Sequence, residues 1–128
     1  MTNRILFLGL LLFAGAAPAA AAEATPPLEQ ARARLTPEHR ILLRCSAAFA
    51  VNSQQIAQGS ADPALPPSLA ERGKEYFVRA GAQLMDEAGV AREEIAALLK
   101  EEAARLAEPV ALAAAMPGCV ASLEASGL

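Results

Sequence analysis

Two cysteines, Cys45 and Cys119, stand far apart in a chain whose other patterns are all helical. Their pairing would constrain the fold more than any other feature. Cys45 lies in the stretch 36–58, which follows Leu35. Thr36 offers a hydroxyl cap, Pro37 suits a first helical position and Glu38 complements the N-terminal dipole. Leu42, Cys45, Phe49 and Ile56 then recur at helical spacing, with Asn52 interrupting the seam, so Cys45 falls on the inward stripe. A bridge to Cys119 would tie this helix to the C-terminal segment. It would close a loop of about 75 residues, worth about 4 kcal/mol in a chain-entropy treatment. Two thiols allow a single intramolecular pairing. Buried free thiols, a metal and an intermolecular bridge are the alternatives.

The bridge also depends on compartment, because disulfides persist where the surroundings oxidise. Met1-Thr2-Asn3-Arg4 is a short basic leader, and residues 5–17 are apolar, too short for a comfortable membrane span. Pro18 and an alanine run follow. This is the pattern of a signal peptide over residues 1–22, cut between Ala22 and Glu23, with a second small-residue site two positions on. The alternative is an uncleaved N-terminal anchor. No cysteine lies at the junction to carry a lipid, so no stable membrane anchor is expected after cleavage. Removing residues 1–22 from the 128-residue chain leaves 106 and moves the formal charge from −3 to −4, since Arg4 is lost and all fourteen acids remain. The expected location is the periplasm, or secretion beyond it.

A chain of this size makes one domain. Residues 23–35 read as a flexible segment or a short helical arm, and 36–128 as the helical domain. In the arm, Arg32 and Arg34 diverge around a helix and read as a solvated face. The first main helix covers about 37–58. Residues 59–67 break it with Gly59, Pro63, Pro66 and Pro67, and are expected to cross over the end of the bundle. Ser68 and Glu71 form a capping-box pattern for the next helix, which presents Leu69, Gly73, Tyr76, Phe77, Ala80, Leu84 and Ala88 on one face. Gly73, Ala80 and Gly81 would admit a close neighbour, Glu75 and Arg79 are spaced to pair, and Gly89 supplies a left-handed stop. Val90 and Ile95 suit a hydrophobic staple, followed by Leu98, Leu99, Ala103 and Leu106. Glu108-Pro109 restarts the chain. Pro117-Gly118 is expected to split the remainder into a helix over 110–116 and one or two turns from Cys119. No alternating β-branched run occurs, and the fold class is all-α, a small bundle of four to five short helices with one disulfide.

Three blocks, LTPEHRILLRCSAAFA, ERGKEYFVRAGAQLMDEAGV and MPGCVASLEASGL, together resemble a group of short exported helical proteins of alphaproteobacteria, sphingomonad-like bacteria in particular. The resemblance covers most of the sequence after the leader. It implies a signal peptide, two cysteines and a helical fold, and it carries over no catalytic or binding residue.

The residues themselves supply little chemistry. His39, the single histidine, reads as a surface or capping residue, because adjacent Glu38 points elsewhere around the helix and cannot orient it as a base. Two isolated cysteines and one histidine fall short of a zinc site, and no Cys-x-x-Cys occurs. The eight acids between Glu71 and Glu102 read as solvated faces and dipole partners. Tyr76, Phe77, Met85 and Met116 could line an apolar pocket but read more simply as core. No phosphate loop, nucleophile elbow or metalloprotease helix is present. Acids and bases are interleaved, so nucleic acid is not an expected partner. The expectation is a non-enzymatic periplasmic binding or interaction module without metal or cofactor, with a protein as the candidate partner. The alternatives are an inhibitor or immunity-type partner of an exported enzyme, with loop 59–67 as its contact, and a carrier of a small apolar ligand. An acid-protection role has no specific support from the single histidine.

Overall fold

A computed structural model describes residues 27–128. The expected leader and the cut between Ala22 and Glu23 lie outside the described residues. Within them the chain forms five helices: α1 (Pro27–Arg34), α2 (Pro37–Ala57), α3 (Leu69–Ala88), α4 (Arg92–Leu106) and α5 (Pro109–Ala125). No strand occurs among the described residues. The protein is an all-α bundle.

α2 is the central element, packed against α3, α4 and α5. That arrangement explains why its burial is broader than a single stripe. Cys45 to Phe49 are buried without interruption, followed by Val51 and Asn52. The small side chains of Ser46, Ala47 and Ala48 fit a helix enclosed on more than one side. Leu42 is half-buried and packs on the core, whereas Ile56 is exposed, contrary to the expected stripe. Thr36 caps α2 as its sequence implies, its Oγ1 accepting the His39 N–H at 3.2 Å.

Two further helix ends differ from expectation. Ser68 makes no side-chain cap bond, because its backbone is already right-handed helical, at φ −64° and ψ −15°. The Pro66-Pro67 turn starts the winding early, with the Leu69 N–H donating to the Pro66 carbonyl at 3.0 Å. A cap needs extended backbone at that position. Glu71 pairs instead with Lys74 at 3.0 Å. Pro117 does not split the last segment, since α5 runs through it. Proline removes the N–H that would bond the carbonyl four residues back. Ala113 and Pro117 are both exposed, so that carbonyl lies on the solvent side, while Met116 and Cys119 anchor the inner face.

The interior divides into two apolar clusters. The larger joins the middle of α2 to α3, α5 and the end of α4, through Phe49, Leu69, Tyr76, Leu106, Met116 and Leu123. Here Gly73 admits a close approach: a Cβ on it would stand 2.9 Å from the Phe49 Cβ. Gly81 has open space beside it and serves no such contact. Leu65 packs on this cluster, so loop 59–67 does cross the end of the bundle. The smaller cluster joins α1 to the beginnings of α2 and α4 and the end of α3, through Ala31, Leu35, Leu43, Leu84, Val90, Ile95 and Leu98. The arm therefore docks as α1. Its arginines reach α4, Arg32 pairing with Glu29 and Glu101, and Arg34 with Glu94 at 2.6 Å.

Candidate functional site

The residues with the most chemical potential occupy two places, one in each cluster. Cys45 and Cys119 meet in the larger. They are 74 positions apart in sequence, with Cα atoms 5.0 Å apart and sulfurs 2.10 Å apart, and form the disulfide. Both are buried. No thiolate is left for nucleophilic or metal chemistry, since the thiolate is the reactive form. Beside the bridge, the Tyr76 ring meets Phe49 edge to face, with centroids 5.2 Å apart. The Tyr76 hydroxyl pairs with Ser122 Oγ at 2.8 Å, which joins α3 to α5. Burial raises the Tyr76 pKa above its ordinary value, and the Ser122 hydrogen bond partly offsets this.

His39 lies at the edge of the smaller cluster, where the start of α2 meets the end of α3. It is buried, at 5% exposure, and is not a surface residue. Its capping role is real and reciprocal: Nδ1 accepts the Thr36 N–H at 3.3 Å while Thr36 Oγ1 accepts the His39 N–H. Since Nδ1 accepts, the proton of the neutral ring belongs on Nε2. Nε2 then donates to Glu87 Oε2 at 3.0 Å. Glu87 also accepts from Gln83 Nε2 at 3.2 Å. The His39 hydrogen bond, followed by that of Gln83, holds the Glu87 carboxyl below its ordinary pKa. An orienting carboxylate is therefore present, supplied by α3 and not by Glu38. Even so, both ring nitrogens are committed, and no lone pair faces a substrate as a general base requires.

The four residues read as a potential apolar pocket separate. Tyr76 and Met116 enter the core, as their spacing implies. Phe77 and Met85 instead stay 39% and 37% exposed. Together with Val78, 70% exposed, they form an apolar ridge along α3. A groove of about 460 Å³ runs on one side, where Gly81 and Ala82 of α3 face Ile95, Ala96 and Leu99 of α4. A second groove, about 350 Å³, lies between the ridge and α2, over Phe49, Ala50 and Ser53. The sequence pattern sets Tyr76 and Phe77 together on the apolar face, but neighbours in sequence stand about 100° apart around a helix. On α3 Tyr76 faces the core and Phe77 falls at its margin.

No group of three or more His, Cys, Asp or Glu side chains converges as a metal site among the described residues. Among them, too, no single helix is long and apolar enough to cross a membrane. A scan against protein-family models, a search of curated proteins and a search of solved structures each return no match for the chain.

Proposed function

We propose that this protein is a non-enzymatic binding or interaction module, exported to the periplasm, that engages a protein partner through the exposed ridge of α3. The observation that carries the reading is Phe77, Val78 and Met85 standing on the surface between two grooves. Water-exposed aromatic and aliphatic side chains gathered on one face mark contact surfaces, and aromatic anchors dominate binding energy there. The basic leader and short apolar run of residues 1–17 support export, and membership in the alphaproteobacterial group belongs to the same proposal.

The reactive side chains agree with a role outside catalysis. His39 has both ring nitrogens in hydrogen bonds, and the two cysteines are bonded to each other. An inhibitor or immunity-type role for an exported enzyme is the specific form this module could take. In that case the ridge, not loop 59–67, is the contact we assign, because Leu65 is engaged with the core.

The test is Val78→Asp, which alters the most exposed member of the ridge without touching the core. A partner retained stoichiometrically by the wild-type protein in a periplasmic extract should be lost with Val78→Asp and kept with Arg79→Gln. Retention by both variants contradicts the assignment of the ridge, and turnover of a substrate from a broad hydrolase panel contradicts the non-enzymatic reading.

A further inference from the structure

Where α2 ends, loop 59–67 folds over a polar group that the bundle leaves unmatched. A pocket of about 220 Å³ lies there, between the last turns of α2 and residues 61–67. Asn52 is part of its lining. This side chain is 2% exposed, yet its Oδ1 accepts no hydrogen bond among the described residues. A buried acceptor without a donor is destabilising, and native folds leave few of them. The rest of the lining has one electrical sign. Asp62 is its single charged residue, and no Lys, Arg or His joins it. Pro63, Pro66 and Pro67 have no N–H to offer. The N–H groups of Ala64 and Leu65 are turned onto Asp62, at 2.9 Å to Oδ1 and 3.2 Å to its carbonyl oxygen. α2 brings the negative end of its dipole here, with no basic residue in its last turn. The walls are apolar and reachable: Ile56 is 42% exposed, and the three prolines are exposed as well.

From this arrangement we infer that the pocket binds a small primary ammonium, its N–H groups donating to Asn52 Oδ1 and the Asp62 carboxylate, its aliphatic body against Ile56 and the prolines. An ammonium has three donors and no acceptor, which suits a neutral and a charged acceptor lining one pocket. The torsion that turns the Asn amide is broad, so Oδ1 swings to meet a donor that enters. A carboxylate or phosphate would meet Asp62 and the helix end with like charge. A water on Asn52 would satisfy the amide without any preference for a cation. The proposal is independent of the α3 ridge: Phe77, Val78 and Met85 take no part in this pocket, and it would stand if no protein partner were found.

Titration of the isotope-labelled, oxidised protein with n-butylammonium, followed by backbone and Asn side-chain amide shifts, tests it. The shifts of Asn52 and of residues 61–67 should move. Butylammonium should bind at least about tenfold more tightly than n-butanol or butyrate, which keep the body, or the ammonium ion, which keeps the head. Asp62→Asn removes the charge but keeps an oxygen for the Ala64 N–H, and should weaken binding about tenfold. Asp86→Asn removes the same charge at the far end of α3 and should bind as the wild type does. Asn52→Leu should abolish binding while the unfolding midpoint holds or rises, because an unmatched acceptor is removed and no hydrogen bond is lost. A lower midpoint with butylammonium still bound marks Asn52 as a structural amide held by water and overturns the site. So does equal binding by the Asp62 and Asp86 variants, or binding of butyrate or n-butanol as tight as butylammonium. Acetyl-lysine methylamide carries the same head on a peptide unit and identifies the source. Binding as tight as that of butylammonium assigns the pocket to a lysine side chain of another protein, and weaker binding to a free amine; either result keeps the ammonium site.

Discussion

The two ends of this bundle are held by different kinds of interaction. Around Cys45 and Cys119 the middle of α2 is clamped to α5 by a covalent bond, closed over by Phe49, Tyr76, Leu106 and Leu123. At the α1 end the cluster is smaller and its edge is polar. There the chain depends on the Thr36–His39 cap, the His39–Glu87 hydrogen bond and the ion pairs from Arg32 and Arg34 to α4. Covalent and apolar terms respond weakly to pH and salt. Hydrogen bonds to an exposed carboxylate and surface ion pairs respond to both. The comparison thus separates a durable end from a titratable one.

The largest expected effect removes the covalent term. Cys45→Ala with Cys119→Ala should lower unfolding stability by about 4 kcal/mol, the chain-entropy value for so long a loop. Denaturant unfolding of the oxidised wild type beside the double variant checks this, and a loss below about 1 kcal/mol would mean the apolar contacts alone hold α5. Next comes packing. Gly73→Val should cost about 2–3 kcal/mol through overpacking against Phe49, despite the better helix propensity of valine over glycine. An unchanged midpoint would show that α2 and α3 can separate without penalty.

At the titratable end, His39→Ala should cost about 1–2 kcal/mol, since it removes a buried side chain and the acceptor of the Thr36 N–H. The pH dependence has a definite sign. The Glu87 carboxyl is held below its ordinary value of 4.5 in the folded protein, so its contribution is complete above that value. That contribution is lost as pH falls through the lower folded pKa. Glu87→Gln should flatten this acid limb, as measured by unfolding midpoints between neutral pH and pH 3. The smallest effect is Arg34→Gln, at most about 1 kcal/mol and diminishing in high salt, because its ion pair with Glu94 is largely exposed. A salt-independent loss would mean that Arg34 acts by packing its aliphatic stem.

The legible parts of this fold were those set by neighbours in sequence. Thr36-Pro37 and Gly89 mark helix ends locally, and the cap and left-handed turn appear where those residues stand, with Gly89 at φ +61°. Gly73 was legible as a small residue on an apolar face. The pairing of His39 with Glu87 was not, because 48 residues separate them and no local spacing links the start of α2 to the end of α3. Ser68 was misleading for a physical reason: its pattern is right for a cap, but two prolines wind the backbone before it. Pro117 misled in the opposite direction, since packing of Met116 and Cys119 outweighs one missing hydrogen bond. Arg32, Arg40, Arg44 and Arg105, dispersed in sequence, converge from α1, α2 and α4, a grouping created by the packing of those three helices.

Residue-resolved hydrogen exchange of the oxidised protein at neutral pH tests the central contrast most directly. Amides of α2 around Cys45–Val51 and of α5 around Met116–Leu123 should exchange only through the highest-energy opening, while α1 and the first turns of α4 open at clearly lower free energy. His39→Ala should lower the α1 value further and leave the α5 value nearly fixed. A single opening free energy shared by α1 and α5 would contradict the account, because the two ends would then unfold as one unit.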